Sequence, residues 1–193
     1  MKKDNKFGIG VIVPVYNEEN AILTTLNDLS RELKDCGAYE IIVVNDGSTD
    51  STSEKLNNIV LDNFLVINHV ENLGYGKSLF DGIAKTKYDC ITIIDGDGSY
   101  PPSSIKDLLK YYPQYDMVVG ERRGKEYKKG FFKKPARKLF QYLAEYASGR
   151  KIPDVNSGLR IFKKDIMMKF QDSLCTGFSF TTTLTLLFML NYY

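Results

Sequence analysis

Apolar residues in the first half of the chain fall into two alternating patterns. Short continuous runs, several rich in β-branched residues, occur at Val11-Ile12-Val13-Pro14-Val15, Ile41-Ile42-Val43-Val44, Phe64 to Ile67 and Ile91 to Ile94. Runs of this length predict strands buried on both faces. Between the first two, Ile22, Leu26, Leu29 and Leu33 recur at helical spacing, and a further helix is expected over Lys77 to Lys85. Ser51 and Glu54 predict a capping box opening the helix between the second and third strands. Apolar strands separated by amphipathic helices define an α/β class, a Rossmann-like, mostly parallel sheet flanked by helices.

Beyond Asp95 the pattern loosens. Pro101-Pro102 opens a helix through Leu108, and Met117-Val118-Val119 reads as a short strand. A loop then leads into a helix expected from about Pro135 to Ala147, a strand at Leu159 to Phe162 and a final helix from Thr181 to Leu190. The chain stops at Asn191-Tyr192-Tyr193, directly after that apolar helix, as a truncated piece would.

Composition narrows the class. The 193 residues suit a single domain, and 43% hydrophobic with 26% charged residues is ordinary for a globular α/β protein. A net charge of +2 gives no argument for a nucleic-acid partner. The charge is uneven, however. From Arg122 to Arg137 lysines and arginines crowd against the lone Glu126, interleaved with Tyr127, Phe131 and Phe132. Such a run is either a solvated face or a surface for anionic lipid. Cys36, Cys90 and Cys175 lack metal-ligand spacing and fit a reducing, cytosolic compartment. No uninterrupted apolar run reaches the ~18 residues that spanning a bilayer requires.

In a parallel α/β sheet the ligand sits at the carboxyl ends of the strands. Those ends read Pro14-Val15-Tyr16-Asn17-Glu18, Asn45-Asp46-Gly47-Ser48-Thr49-Asp50 and Asp95-Gly96-Asp97. Clustered carboxylates repel unless a cation or hydrogen-bonding ligand compensates, and the Asp95/Asp97 pair suits a hard cation, Mg²⁺ or Mn²⁺. Asp-Gly is also a favoured turn pair, so the spacing alone is a weak signal. Three other motifs fail. Gly76-Lys77-Ser78 lacks the P-loop's opening glycine at Glu71, and Gly8-Ile9-Gly10 precedes its strand instead of following it. An EF-hand starting at Asp95 would need glycine at Tyr100 and Glu at Lys106. His69, the single histidine, reads as a strand-end packing residue.

These strand-end motifs, in this order, resemble the family 2 glycosyltransferases of GT-A fold. Asn72-Leu73-Gly74-Tyr75-Gly76 is similar to that family's Asn-x-Gly-x-Gly segment. Asp154-Val155-Asn156-Ser157-Gly158-Leu159-Arg160 and Gly177-Phe178-Ser179-Phe180-Thr181 resemble its polyprenyl-phosphate branch, which includes dolichol-phosphate mannose synthases. The resemblance implies one catalytic domain over 1–193, with a nucleotide-sugar half at about 7–100 and an acceptor half at about 101–193. Pro14, Tyr16, Asn17, Glu18, Asp46, Gly76, Asp95 and Gly96 would hold the donor, and Asp97 with Asp95 would bind the metal. Arg122, Arg137, Ser157 and Arg160 would surround an acceptor phosphate. Asp154 would serve as general base, or alternatively orient those arginines. The branch commonly carries a Gln metal ligand shortly after the acidic pair; here Gly98-Ser99-Tyr100 occupies that stretch.

The implied activity is metal-dependent, inverting transfer of a sugar from a UDP- or GDP-sugar to a polyprenyl phosphate. It would take place on the cytoplasmic side of the membrane, by a peripheral or C-terminally anchored protein that could form oligomers. Two alternatives stay open: a polysaccharide-type transferase with a hydroxyl acceptor, and a nucleotide-binding module without turnover.

Overall fold

The computed structural model describes residues 7–122, 145–146, 149, 151, 154–174, 177 and 179–193. Apart from Glu145 and Tyr146, which are helical, the helix expected from Pro135 to Ala147 lies outside those residues, as do Arg137 and nearly all of the basic aromatic segment.

Six strands form one sheet in the order β3-β2-β1-β4-β6-β5. They are β1 (Gly8–Val15), β2 (Ala38–Asn45), β3 (Phe64–Asn68), β4 (Cys90–Ile93), β5 (Met117–Val119) and β6 (Arg160–Lys163). The first four run parallel, as the apolar runs predict. β6 lies antiparallel to both β4 and β5. The sheet is therefore mixed, its one reversed strand lying where the sequence pattern loosens.

Alternation along β1 divides the core. Ile9, Val11, Val13 and Val15 point to one face and pack with Ile22, Leu26, Leu29 and Leu33 of α1 (Ile22–Leu33). Ile12 points to the other face, with Leu79 and Ile83 of α3 (Tyr75–Lys85) and Phe180, Leu184 and Phe188 of α6 (Phe180–Leu190). All these side chains are buried. Full burial of each contributes about 1.5–3 kcal/mol, so the two apolar stripes dictate a three-layer stack. Phe162 meets Phe188 edge-on, which seats α6 against β6.

Further helices among the described residues are α2 (Thr52–Asn58), α4 (Ser104–Leu109) and α5 (Lys164–Met168). The expected capping box at α2 does not form, because Ser51 makes no side-chain cap. Instead Asp50 accepts from the Thr52 and Glu19 amides, while Glu19 accepts from Ser51 N–H. A neighbouring turn has taken over the capping and ties the ends of β1 and β2 together. No helix among the described residues is long and apolar enough to cross a membrane.

Candidate active site

The chain leaves β1 toward β2 and β3, then returns to place β4 on β1's other side. That reversal opens a crevice at the carboxyl ends of β1 and β4. A pocket of about 330 Å³ occupies it, lined by Pro14, Tyr16, Glu18, Asp46, Asp95 and Asp97 with Gly96, Gly74, Tyr75 and others. Seven of the residues expected to hold the donor or metal thus meet in one cavity. Asn17 and Gly76 do not line it. Asn17, at φ 56°, accepts from Thr49 N–H through its side chain and donates its own N–H to Ser48 Oγ. It clasps two loops together, and Gly76 is buried in the first turn of α3.

Asp46 is buried and accepts three hydrogen bonds: from Leu73 N–H at 2.9 Å, from Gly74 N–H at 2.8 Å, and one shared with His69 Nδ1 at 2.7 Å. Burial works against its charge, but these bonds outweigh burial and hold the carboxyl below its ordinary value. Asp95 accepts from the Tyr75 hydroxyl at 3.0 Å. Burial pushes the Asp95 carboxyl up; the Tyr75 bond opposes this and the Asp97 charge reinforces it. Glu18 is also raised, by burial first and then by Asp97, Asp50 and Asp95. Asp97 is exposed, and its Oδ1 accepts from Ser99 N–H at 2.8 Å in a tight turn.

The cavity therefore presents carboxylates whose mutual repulsion a cation would relieve. Among the described residues no group of three His, Cys, Asp or Glu side chains is arranged to hold a metal alone. Two carboxylates completed by ligand oxygens and water are a normal shell for Mg²⁺ or Mn²⁺. The residues present fit such an ion.

The acceptor-side residues lie next to this cavity and are differently disposed. Arg122 grips Asp154 through two bonds, Nε to Oδ2 at 2.8 Å and Nη2 to Oδ1 at 2.9 Å. Asp154 is only 8% exposed. Both of its oxygens are thus occupied by Arg122, an arrangement closer to the orienting role than to that of a general base. Arg160 is fully buried. Its Nε donates to Ser157 O, its Nη1 to Thr181 O and Thr185 Oγ1, and its Nη2 to Val155 O and Ser157 O. Five donors meet five internal contacts, leaving none for the phosphate role expected of it. Burial lowers its guanidinium to about 10, still charged near neutrality. Ser157, also buried, is hydrogen-bonded to Tyr100 and Leu159 O. It too builds the loop instead of facing a ligand.

Three residues matter that the sequence reading passed over or assigned otherwise. Tyr75 holds Asp95. Tyr100, in the stretch where a metal-ligating Gln was expected, is buried and accepts from Gly158 N–H at 2.7 Å. It braces the acceptor loop against the acidic turn. His69, expected as packing, bridges Asp46 and Asp81. The aromatic residues following Gly74 and Ser99 were the available signal for the first two.

With the fold and cavity described, the class follows. The chain belongs to glycosyl transferase family 2, whose sequence profile matches residues 10–170. It is 30% identical over 174 residues to the undecaprenyl-phosphate 4-deoxy-4-formamido-L-arabinose transferase of Proteus mirabilis, covering 86% of this chain and 51% of that protein. An uncharacterized protein of Methanocaldococcus jannaschii is 31% identical over 173 residues, covering 86% and 68% respectively. The chain thus spans about half the length of most of the curated relatives it matches. Among solved structures, glucosyl-3-phosphoglycerate synthase of Mycobacterium tuberculosis, in complex with Mn²⁺, UDP-glucose and phosphoglyceric acid, superposes with a TM-score of 0.70. Identity there is 22%, over 94% of this chain and 64% of that one, a likeness of GT-A fold.

Proposed function

We propose that this chain is the catalytic domain of an inverting glycosyltransferase that moves a sugar from a nucleotide diphosphate to a polyprenyl phosphate at a membrane surface. The observation that carries the donor half is the gathering of Glu18, Asp46, Asp95 and Asp97 around one cavity at the β1/β4 reversal. Asp46 holds the Leu73–Gly74 wall, and the remaining acceptor capacity of these carboxylates suits ribose hydroxyls and base N–H groups. Asp97 and Asp95 would hold a Mg²⁺ or Mn²⁺ ion, which when bound neutralises charge developing on the departing diphosphate.

The Arg122–Asp154 pair favours a phosphate acceptor over a hydroxyl acceptor. A hydroxyl nucleophile needs a base, whereas a phosphate monoester is already largely dianionic near neutrality. What it needs is a cation in the right place, and the bidentate grip of Asp154 fixes Arg122 beside the donor carboxylates. The names of the undecaprenyl-phosphate relatives support the same acceptor class. In this reading Arg160 and Ser157 shape the loop, and Arg137 is a candidate second phosphate contact.

Melting the chain with UDP-, GDP-, CDP- and dTDP-sugars, with and without Mn²⁺, tests the donor half. A ligand at about 100 times its Kd adds roughly 2.7 kcal/mol of stability. The expected result is one nucleotide that shifts the melting temperature only with Mn²⁺, an effect abolished by Asp97→Asn. No shift with any of the four overturns the reading. Binding without transfer to undecaprenyl phosphate would leave a nucleotide-binding module in its place.

A further inference from the structure

His69 is the only histidine in the chain, and the transfer reaction described above makes no use of it. It stands just past β3 with its side chain 7% exposed. Both ring nitrogens face carboxylates, Nδ1 toward Asp46 Oδ1 at 2.7 Å and Nε2 toward Asp81 Oδ2 at 3.0 Å. Asp81, on α3, is held at its other oxygen by Lys77. On the opposite side, Asp46 fixes the amides of Leu73 and Gly74. The adjoining residue, Gly47, sits at φ +69° with the backbone of Glu71 and Asn72 so close that a Cβ would collide with it. The next residue after Gly74 is Tyr75, whose hydroxyl holds Asp95. A continuous line of contacts therefore runs from Lys77 and Asp81 through His69 and Asp46. It follows the Asn72–Tyr75 wall of the cavity and ends on the acidic pair.

We propose that His69 and Asp81 are positioning residues that lock this wall, and through Tyr75 the Asp95 carboxylate, into the geometry that binds the nucleotide. The inference rests on the nucleotide-sugar reading of the cavity. Removing the His69 ring leaves Asp46 with two of its three bonds, and a buried carboxylate short of a donor turns or admits water. Either movement releases the wall that Asp46 holds. Asp81 and Lys77 are partly exposed, so their pair is weaker and should matter less than His69.

Titration calorimetry on the full chain with UDP, GDP, CDP and dTDP, each with Mn²⁺, tests this. His69→Phe should weaken the nucleotide that binds by about tenfold while far-UV circular dichroism stays unchanged. His69→Gln, whose amide can donate to Asp46, should recover most of that loss. If His69 acts through Tyr75, then Tyr75→Phe and His69→Phe together should lose less than the product of their separate factors. Wild-type affinity in His69→Phe, or full multiplicativity in the double variant, overturns the inference while leaving the donor reading intact. If the unaltered chain binds none of the four, the donor reading falls and this inference falls with it. Should His69→Phe not fold, Asp81→Ala, which removes the other partner of the ring, carries the same cycle with Tyr75→Phe, its single loss smaller than tenfold but measurable. Wild-type affinity in Asp81→Ala, or full multiplicativity in that pair, likewise overturns the inference.

Discussion

At the ends of β1 and β4, Glu18, Asp95 and Asp97 bring negative charge together, and the Glu18 and Asp95 carboxyls rise above their ordinary values. Beside this cavity, on β6 and the segments that flank it, Arg122, Asp154 and Arg160 each meet an opposite charge or a carbonyl. Arg122 is clasped by Asp154, and Arg160 by four backbone carbonyl contacts and a threonine hydroxyl. One wall carries electrostatic strain that a ligand could relieve, whereas the other is satisfied by the protein itself. Residues on the first wall should respond to ligand, and Arg160, fully buried in the second, to unfolding.

Arg160→Met is the harshest way to break that distinction. Methionine fills much of the space but leaves Ser157 O, Val155 O and Thr185 Oγ1 without the guanidinium, while Thr181 O keeps only the Thr185 hydroxyl. A buried acceptor left without a donor costs about 1–3 kcal/mol, so losing several at once amounts to a few kcal/mol. Urea unfolding should show a loss of that order. If Arg160 instead gripped the acceptor phosphate, the variant would keep its stability and lose only acceptor affinity.

Gly158→Ala probes the seam between the walls. A Cβ at Gly158 would land on the Asp95 carboxylate, with Asp95 Cγ only 2.7 Å away. The Gly158 amide is itself fixed by Tyr100, so the loop cannot easily retreat. The expected outcome is a roughly tenfold loss of Mn²⁺-dependent nucleotide affinity, with a stability cost of about 1 kcal/mol from overpacking. Unchanged nucleotide binding would mean that the two walls are independent.

The same division governs how much the sequence could reveal. β1, β2, β4 and α1 are legible because burial on both sheet faces leaves continuous apolar runs, and a one-sided helix leaves a stripe. β3 has the same apolar run but lies at the sheet edge, half-buried with Leu65 exposed, so its expected burial on both faces does not hold. The reversal of β6 has no such mark, since Arg160-Ile161-Phe162-Lys163 reads alike in either direction. Asp46, Asp95 and Asp97 could be picked out because position after a strand is a local property. Tyr75 and Tyr100 act on partners 20 and 58 positions away, a relation only the folded chain defines. Arg160 stood in a recognisable motif, but nothing in the motif told whether its side chain faces a ligand or the interior.

Glu18→Gln gives the smallest effect and the finest test of the contrast. The Glu18 carboxyl lies above its ordinary value, through burial first and then through Asp97, Asp50 and Asp95. Between about pH 4 and that raised value the folded chain holds a proton that the unfolded chain releases. Stability from this group is therefore greatest below the window and declines as pH rises through it. At neutral pH the ionised side chain counts against the fold. Glutamine keeps the shape without the charge, so it should raise stability at pH 7, by no more than about 0.5 kcal/mol as for other partly exposed sites. The gain should vanish near pH 4, where the native carboxyl is protonated as well. Mn²⁺ added at pH 7 should stabilise the native sequence more than Glu18→Gln, since the ion relieves a repulsion that the variant lacks. Equal melting temperatures at both pH values, with equal responses to Mn²⁺, would mean that the donor wall is as well neutralised as the acceptor wall and that the contrast between them does not hold.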